Sequence, residues 1–302
     1  MLNIRKFAAI DIGSNAVRLL IANIIEEDGK KARFKKSSLV RVPVRLGVDA
    51  FVHQRISEEN KTRLLDTMLA FKLLMTAHRV ERYKACATSA MREAINGKEV
   101  AYQVFKNTEI EIDIIDGNEE AAIIAATDIN EYINPNKNYL YVDVGGGSTE
   151  FTIFHNSKKV VSKSFKIGTV RLLHNTVEQS DWMAVEHWIK LNTTDYERVE
   201  VIGSGGNINK IYKLSEKSIG EPLTYFYLSS LYHSFNNYSY EERITKLDLN
   251  QDRADVIIPA LRIYLSAMKW SGAKHIFVPK IGLADGIIKS LYFETVSSNT
   301  LA

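Results

Sequence analysis

Two short segments bring together the residue types that chemistry at a phosphate requires. They are Asp11-Ile12-Gly13-Ser14-Asn15 and Asp143-Val144-Gly145-Gly146-Gly147-Ser148-Thr149. Each opens with a carboxylate and runs into small residues. Backbone N–H groups in such a turn can approach an anion closely, because no bulky side chain stands in the way. The aspartate at its edge can hold a divalent cation, directly or through water, and the cation can bridge to phosphate oxygens. Two facing copies would grip one phosphate from both sides, which points to phosphate chemistry in a cleft. A third Gly-rich stretch, Gly203-Ser204-Gly205-Gly206-Asn207, lies between an expected strand and an expected helix.

The flanking elements repeat as well. Phe7–Ile10 and Tyr139–Val142 are apolar strand-like runs that lead into the two turns, and Val17–Ile25 and Glu150–Phe154 lead out of them. Strand, Asp-led turn, strand therefore occurs twice. After the first copy, Ser57 can cap a helix opened by Glu58 and Glu59, whose apolar face continues to about Ala77. Tyr83–Thr88 reads as a short buried strand leading into a helix at Ser89–Ala94, followed by a helix over 98–105. Glu109–Ile115 alternates with the period of a strand. Asp116-Gly117-Asn118 then breaks the chain before a helix from Glu119 to Ala126. Asn134-Pro135-Asn136 marks a boundary. Beyond the second copy come a continuing strand at 160–165, a helix over 183–191, strand 198–202 and a helix from Ile208. A polar, Tyr-rich stretch at 224–240 follows, then a helix over 253–270, strand 275–279 and a last helix over 283–293.

At 302 residues with 45% apolar content, the chain can build two domain cores. Its net charge, 39 − 36 = +3, does not suit a generic nucleic-acid binder. The basic run from Lys30 to Arg45 and the group Lys158, Lys159, Lys163, Lys166 and Arg171 fit solvated loops or edge-strand protection, and equally a track for a polyanion. The single Cys86 cannot form an internal disulfide, and its Ala neighbours suggest a small buried residue. No signal peptide is expected, since the N-terminus runs straight into a strand, and no apolar run reaches the ~20 residues of a membrane span. A cytoplasmic protein without nucleic-acid or membrane partners is the expectation. None of the seven histidines shows metal-ligand spacing.

Ala9–Asn15, Ala87–Ala94, Gly117–Ala121, Val142–Glu150, Gly168–Leu172 and Gly203–Gly206 occur in an order that resembles the exopolyphosphatase/guanosine pentaphosphate phosphohydrolase (Ppx/GppA) family. That family lies within the actin/Hsp70/sugar-kinase superfamily, and the resemblance spans almost the whole chain. It implies an α/β protein of two ribonuclease-H-like (actin-like ATPase) domains, 1–128 and 129–302, flanking a phosphate-binding cleft, with a terminal helix that can pack back on the first domain. By resemblance Glu120 is the catalytic base that activates water, and its place at a helix start favours the carboxylate form. Glu119 beside it takes a structural role. Asp143, Glu150 and, through water, Asp11 handle Mg²⁺ or Mn²⁺, for which hard oxygen ligands are suited. Arg92 holds a phosphate with its forked donors. Ser14, Asn15, Gly145, Gly146, Gly147, Ser148 and Gly205 complete the phosphate contacts. Gly168 and Arg171 match a family segment whose role stays open.

The resemblance implies release of terminal orthophosphate from inorganic polyphosphate, with guanosine pentaphosphate as the alternative substrate. A kinase on the same fold, or a non-catalytic phosphate or nucleotide sensor, are the readings of another class. Two departures from the family stand out. Relatives often extend into a helical C-terminal domain that is not found here, which implies distributive trimming of polyphosphate unless a homodimer aligns two clefts. Ala284-Asp285-Gly286 stands where many relatives have Arg-Glu-Gly.

Overall fold

The computed structural model of the protein describes residues 2–125, 127 and 134–300. The chain divides into two compact units, Met1–Thr127 with Leu283–Ala302, and Asp128–Gly282. The expected boundary at residues 128 and 129 and the end of the helix at Ala126 lie outside the described residues.

The first unit is built on β1 (Leu2–Ile12), β2 (Val17–Glu27), β3 (Arg33–Val42), α1 (Leu46–Val52), α2 (Glu58–Ala77), β4 (Arg82–Ala87), α3 (Ser89–Glu93), α4 (Gly97–Thr108), β5 (Ile112–Ile114) and α5 (Gly117–Ala125). Its sheet runs β3-β2-β1-β4-β5, with β1–β3 antiparallel and β4 and β5 parallel to β1. The central strand β1 is apolar without alternation from Phe7 to Ile10 because both of its faces are covered. Ala8, Ile10 and Ile12 join Leu64, Met68 and Phe71 of α2 and Val100 and Val104 of α4 in one core. Ser57 accepts from the N–H of Asn60 and caps α2 as its sequence suggests. The basic run around Lys35 and Lys36 is the exposed edge strand β3, where lysines discourage pairing with another chain.

The second unit contains β6 (Asn138–Val144), β7 (Thr149–His155), β8 (Lys158–Phe165), α6 (Thr169–Leu173), α7 (Gln179–Thr193), β9 (Val199–Ser204), α8 (Gly206–Leu214), β10 (Leu223–Thr224), α9 (Tyr225–Asn236), α10 (Tyr240–Thr245), α11 (Gln251–Ala254), α12 (Ile257–Ser271) and β11 (His275–Phe277). Its sheet runs β10-β11-β9-β6-β7-β8. The segment β8-β7-β6-β9 repeats the order and directions of β3-β2-β1-β4, so both Asp-led turns close equivalent hairpins. The chain then returns to the first unit as α13 (Leu283–Thr300), which packs on β1, β2, β4 and α5. It covers the sheet face carrying Phe7 and Ala9, opposite the α2 core.

Helices α1 and α10 are not expected from sequence, and three further elements differ from the sequence reading. The Tyr-rich 224–240 stretch contains α9, capped by Thr224 and seated through Leu228 and Phe235. The helix expected over 253–270 is broken into α11 and α12, with Asp255 and Val256 between them. The strand expected over 109–115 shrinks to Ile112–Ile114, because Glu109 ends α4 in a left-handed conformation (φ 59°).

Candidate functional site

In the second unit, Gly145 N–H donates to the Ser148 carbonyl at 3.0 Å and closes the turn between β6 and β7. The next segment grips this turn from one side. The N–H of Thr169 donates to the Gly145 carbonyl (3.0 Å), that of Val170 to the Gly146 carbonyl (2.9 Å), and Arg171 Nε to the Gly147 carbonyl (2.7 Å). Gly168 starts α6 hard against the turn: a Cβ there would lie 2.3 Å from the Gly146 oxygen. The N–H groups of Gly146, Gly147 and Ser148 have no acceptor among the described residues. Backbone donors left open in this way can receive an anion.

Asp143 and Glu150 are direct partners across β6 and β7, so their side chains share one face beside the turn. Glu150 is buried, and its Oε1 accepts from Ser148 Oγ at 2.7 Å and from Ser164 Oγ of β8 at 2.8 Å. Gly205, at φ 116°, precedes α8, and a Cβ there would meet the Val144 oxygen at 2.9 Å and Asp143 Oδ1 at 3.5 Å. The third Gly-rich stretch is therefore packed against Asp143. Beneath it, fully buried Tyr264 donates to the Ser204 carbonyl. Burial, and then the charge of Asp143, push the Tyr264 phenol well above its usual range, so it stays a donor. Among the described residues no group of three or more His, Cys, Asp or Glu is arranged to hold a metal. Asp143 and Glu150 form a pair.

In the first unit, the turn at 13–16 is closed by Gly13 N–H on the Ala16 carbonyl. Ser14 is buried, its Oγ lies 3.0 Å from Ser89 Oγ, and its carbonyl accepts from Gly47. The Asn15 carbonyl accepts from Arg45 N–H. Asp11 is buried and paired with Arg18 at 3.0 Å; burial raises its carboxyl above the usual range against the pull of that guanidinium. Asp11 sits in a different unit from Asp143 and Glu150.

Glu119 and Glu120 divide their work as the sequence suggests for Glu119. Asp116 Oδ1 accepts from the N–H groups of Asn118 and Glu119, and Glu119 Oε2 accepts from Asp116 N–H. This reciprocal cap fixes the start of α5. Glu120, one position on, turns inward and is 9% exposed. It joins a field of carboxylates around Cys86, the β4 residue opposite Asp11. Burial pushes the Cys86 thiol up to about 12, with Lys84 opposing and Asp113, Asp11 and Glu120 adding to the rise. Such a thiol is not a nucleophile at neutral pH. Arg92, expected to hold a phosphate, donates from Nη1 to the Ile115 carbonyl at 2.6 Å, just before the cap. It braces the loop that presents Glu120.

Four supports of this site escape a reading of local sequence. Gly286 of α13 lets that helix touch α5, since a Cβ there would sit 2.2 Å from the Ile123 carbonyl oxygen. Asp285 next to it pairs with Lys36 at 2.8 Å. Ser164 and Tyr264 likewise reach the site from strands and helices distant in sequence. Their alternation and burial mark them only as half-buried strand and core helix residues.

The sequence model of the Ppx/GppA phosphatase family matches residues 26–293. A bifunctional 3-dehydroquinate synthase/phosphatase of Fusobacterium nucleatum is 30% identical over 296 residues, which cover 90% of this chain and 44% of that protein. A guanosine-5'-triphosphate,3'-diphosphate pyrophosphatase of Photobacterium profundum is 25% identical, over 93% of this chain and 58% of its own length. The chain thus spans about half the length of these two relatives. The crystal structure of the Aquifex aeolicus Ppx/GppA family member superimposes with a TM-score of 0.75 at 25% identity, covering 97% of this chain and 99% of that one.

Proposed function

Because the chain belongs to the Ppx/GppA phosphatase family, we propose that it is a metal-dependent phosphoanhydride hydrolase that releases terminal orthophosphate from inorganic polyphosphate. One observation carries the proposal: three turn N–H groups with no acceptor among the described residues stand beside the neighbouring carboxylates Asp143 and Glu150. The N–H groups of Gly146, Gly147 and Ser148 take the non-bridging oxygens of a phosphoryl group, with the start of α8 at Gly205 beside them. We assign phosphate contacts to Ser14, Asn15 and Arg92 as well. Donors aimed at developing charge and already fixed in place are the main source of rate in such reactions.

Asp143 and Glu150 fit Mg²⁺ or Mn²⁺, which readily completes its coordination with water and phosphate oxygens around one or two carboxylates. When bound, the cation would neutralise phosphoryl charge and orient the leaving oxygen. Glu120 takes a proton from water as the water oxygen bonds to the terminal phosphorus. The bridging P–O bond breaks, giving orthophosphate and a chain one unit shorter. No helix among the described residues is long and apolar enough to cross a membrane, and a lone buried cysteine suits the cytoplasm.

Phosphate release from short and long polyphosphate, guanosine pentaphosphate and ATP, with Mg²⁺ and with excess EDTA, tests the proposal. Release from polyphosphate that stops on chelation supports it. Preference for guanosine pentaphosphate would change the substrate, and undiminished hydrolysis in EDTA would remove the metal from the mechanism.

A further inference from the structure

We infer that the segment Gly168–Arg171 is a clamp that holds the 145–148 turn in its anion-binding form, with Arg171 as a positioning residue. The inference rests on the proposal that this turn binds substrate phosphate.

A turn with three successive glycines has the most conformational freedom to lose on ordering. Left to itself it would spend much of its time in forms unsuited to any ligand. Here all three glycine carbonyls are taken up by one neighbouring segment: Gly145 by Thr169 N–H, Gly146 by Val170 N–H and Gly147 by Arg171 Nε. In a trans peptide the carbonyl of one residue and the N–H of the next point in opposite directions. Drawing the carbonyls of Gly145, Gly146 and Gly147 toward α6 therefore aims the N–H groups of Gly146, Gly147 and Ser148 away from it. Those are the three donors with no acceptor among the described residues.

The clamp has a built fulcrum. Gly168 is pressed so closely on the turn that a side chain would overlap the Gly146–Gly147 peptide, with approaches of 2.3–2.5 Å. Thr149 Oγ1 ties the far side of the turn to the Ile167 carbonyl at 2.5 Å. Arg171, 8% exposed, is the one side chain that donates to a glycine carbonyl of the turn among the contacts described above. Its contribution there depends on an N–H at the Nε position, one that methionine lacks and the glutamine amide nitrogen reproduces without charge.

Arg171→Met and Arg171→Gln separate this role from simple attraction of an anion by a cation. Tripolyphosphate is titrated into each protein while the amide resonances of Gly146, Gly147 and Ser148 are followed by NMR, and kcat and KM are measured beside thermal unfolding. The clamp predicts that Arg171→Met loses at least tenfold in both kcat and tripolyphosphate affinity, and that Arg171→Gln stays within about threefold of wild type. Equal losses in the two variants would assign Arg171 a charge role and overturn the clamp; so would Arg171→Met within twofold of wild type. Should Arg171→Met fail to fold, Gly168→Ala displaces the same turn from its other support and carries the same expectation of a tenfold loss. If the three amides of the wild type ignore tripolyphosphate, the turn is not the phosphate site and the proposed function fails at that point instead.

Discussion

Replacing Gly286 with alanine sets general helix chemistry against a single contact. In a helix interior alanine is favoured over glycine by about 1 kcal/mol, so the substitution would ordinarily stabilise α13. Here the new Cβ would lie 2.2 Å from the carbonyl oxygen of Ile123 and 2.8 Å from its carbon. Carbon contacts are comfortable near 3.5–4.0 Å, so one helix must retreat by about 1 Å or more. The obstacle is backbone and cannot rotate aside. Overpacking of this kind costs roughly 1–3 kcal/mol, and a backbone clash belongs at the upper end. After the propensity gain, a net loss of about 2 kcal/mol remains, which is roughly 4–8 °C in Tm for a unit of this size. Ile123 lies one helical turn beyond Glu120, so the retreat of α5 shifts the proposed base as well. Displacements near 1 Å can reduce turnover by about 10²-fold. Thermal unfolding by circular dichroism and kcat on polyphosphate measure the two effects separately. A variant that melts at or above wild type would refute the close-approach argument. One that melts low but turns over normally would refute the link from α13 to Glu120.

Glu120→Gln should retain substrate binding and lose about 10²–10⁴ in turnover, the usual cost of removing a general base. Glu119→Gln keeps an acceptor for the Asp116 N–H and should stay close to wild type; the reverse ranking would mean that the wrong carboxylate is assigned. Asp116 offers a pH test. The N–H groups of Glu119 and Asn118, with the Arg92 charge, hold its carboxyl below the ordinary 3.8. Its folded pKa is depressed, so the stabilisation is complete above that value and fades as the pH falls through the lower folded one. Amide protection at the start of α5 should therefore drop as the pH is taken below the ordinary aspartate value of 3.8 in the wild type, and drop less in Asp116→Asn, which caps without titrating. Ser164→Ala removes one of the two hydroxyls on Glu150 Oε1 and should weaken Mn²⁺ binding, read by electron paramagnetic resonance, with little change in Tm. Unaltered Mn²⁺ affinity would show that Ser164 does not orient this carboxylate.

Much of the site could be read from sequence because its parts are local. The Asp-led turns, the Ser57 cap and the structural role of Glu119 follow from residues within one turn or hairpin, whereas Glu120 is singled out by the family resemblance. The basic run at 30–45 is open in sequence between a solvated loop, edge-strand protection and a polyanion track, and only the sheet order shows that Arg33–Val42 is an edge strand. What escaped depends on partners far along the chain. The reason for Gly286 is Ile123, the reason for Gly168 is the Gly146–Gly147 peptide, and neither partner is visible from the neighbours of either glycine. The helix α9 escaped because its buried residues Leu228 and Phe235 stand two turns apart in a background of tyrosine and serine. Its apolar stripe emerges only once the surface it meets is known.

The return of the chain to its first unit at Leu283 sets an order of events during synthesis. Between the end of the first stretch and α13 the ribosome must add 282 − 127 = 155 residues. At about 5–20 residues per second this takes roughly 8–30 s. Throughout that interval the sheet face bearing Phe7, Ala9 and Leu20 lacks the helix that will seal it, while every element of the second unit becomes available in sequence. The half that is made first is the half that is finished last. Nascent chains arrested just before Leu283 should expose that apolar face to a hydrophobic dye or a chaperone, and extension by some twenty residues should close it.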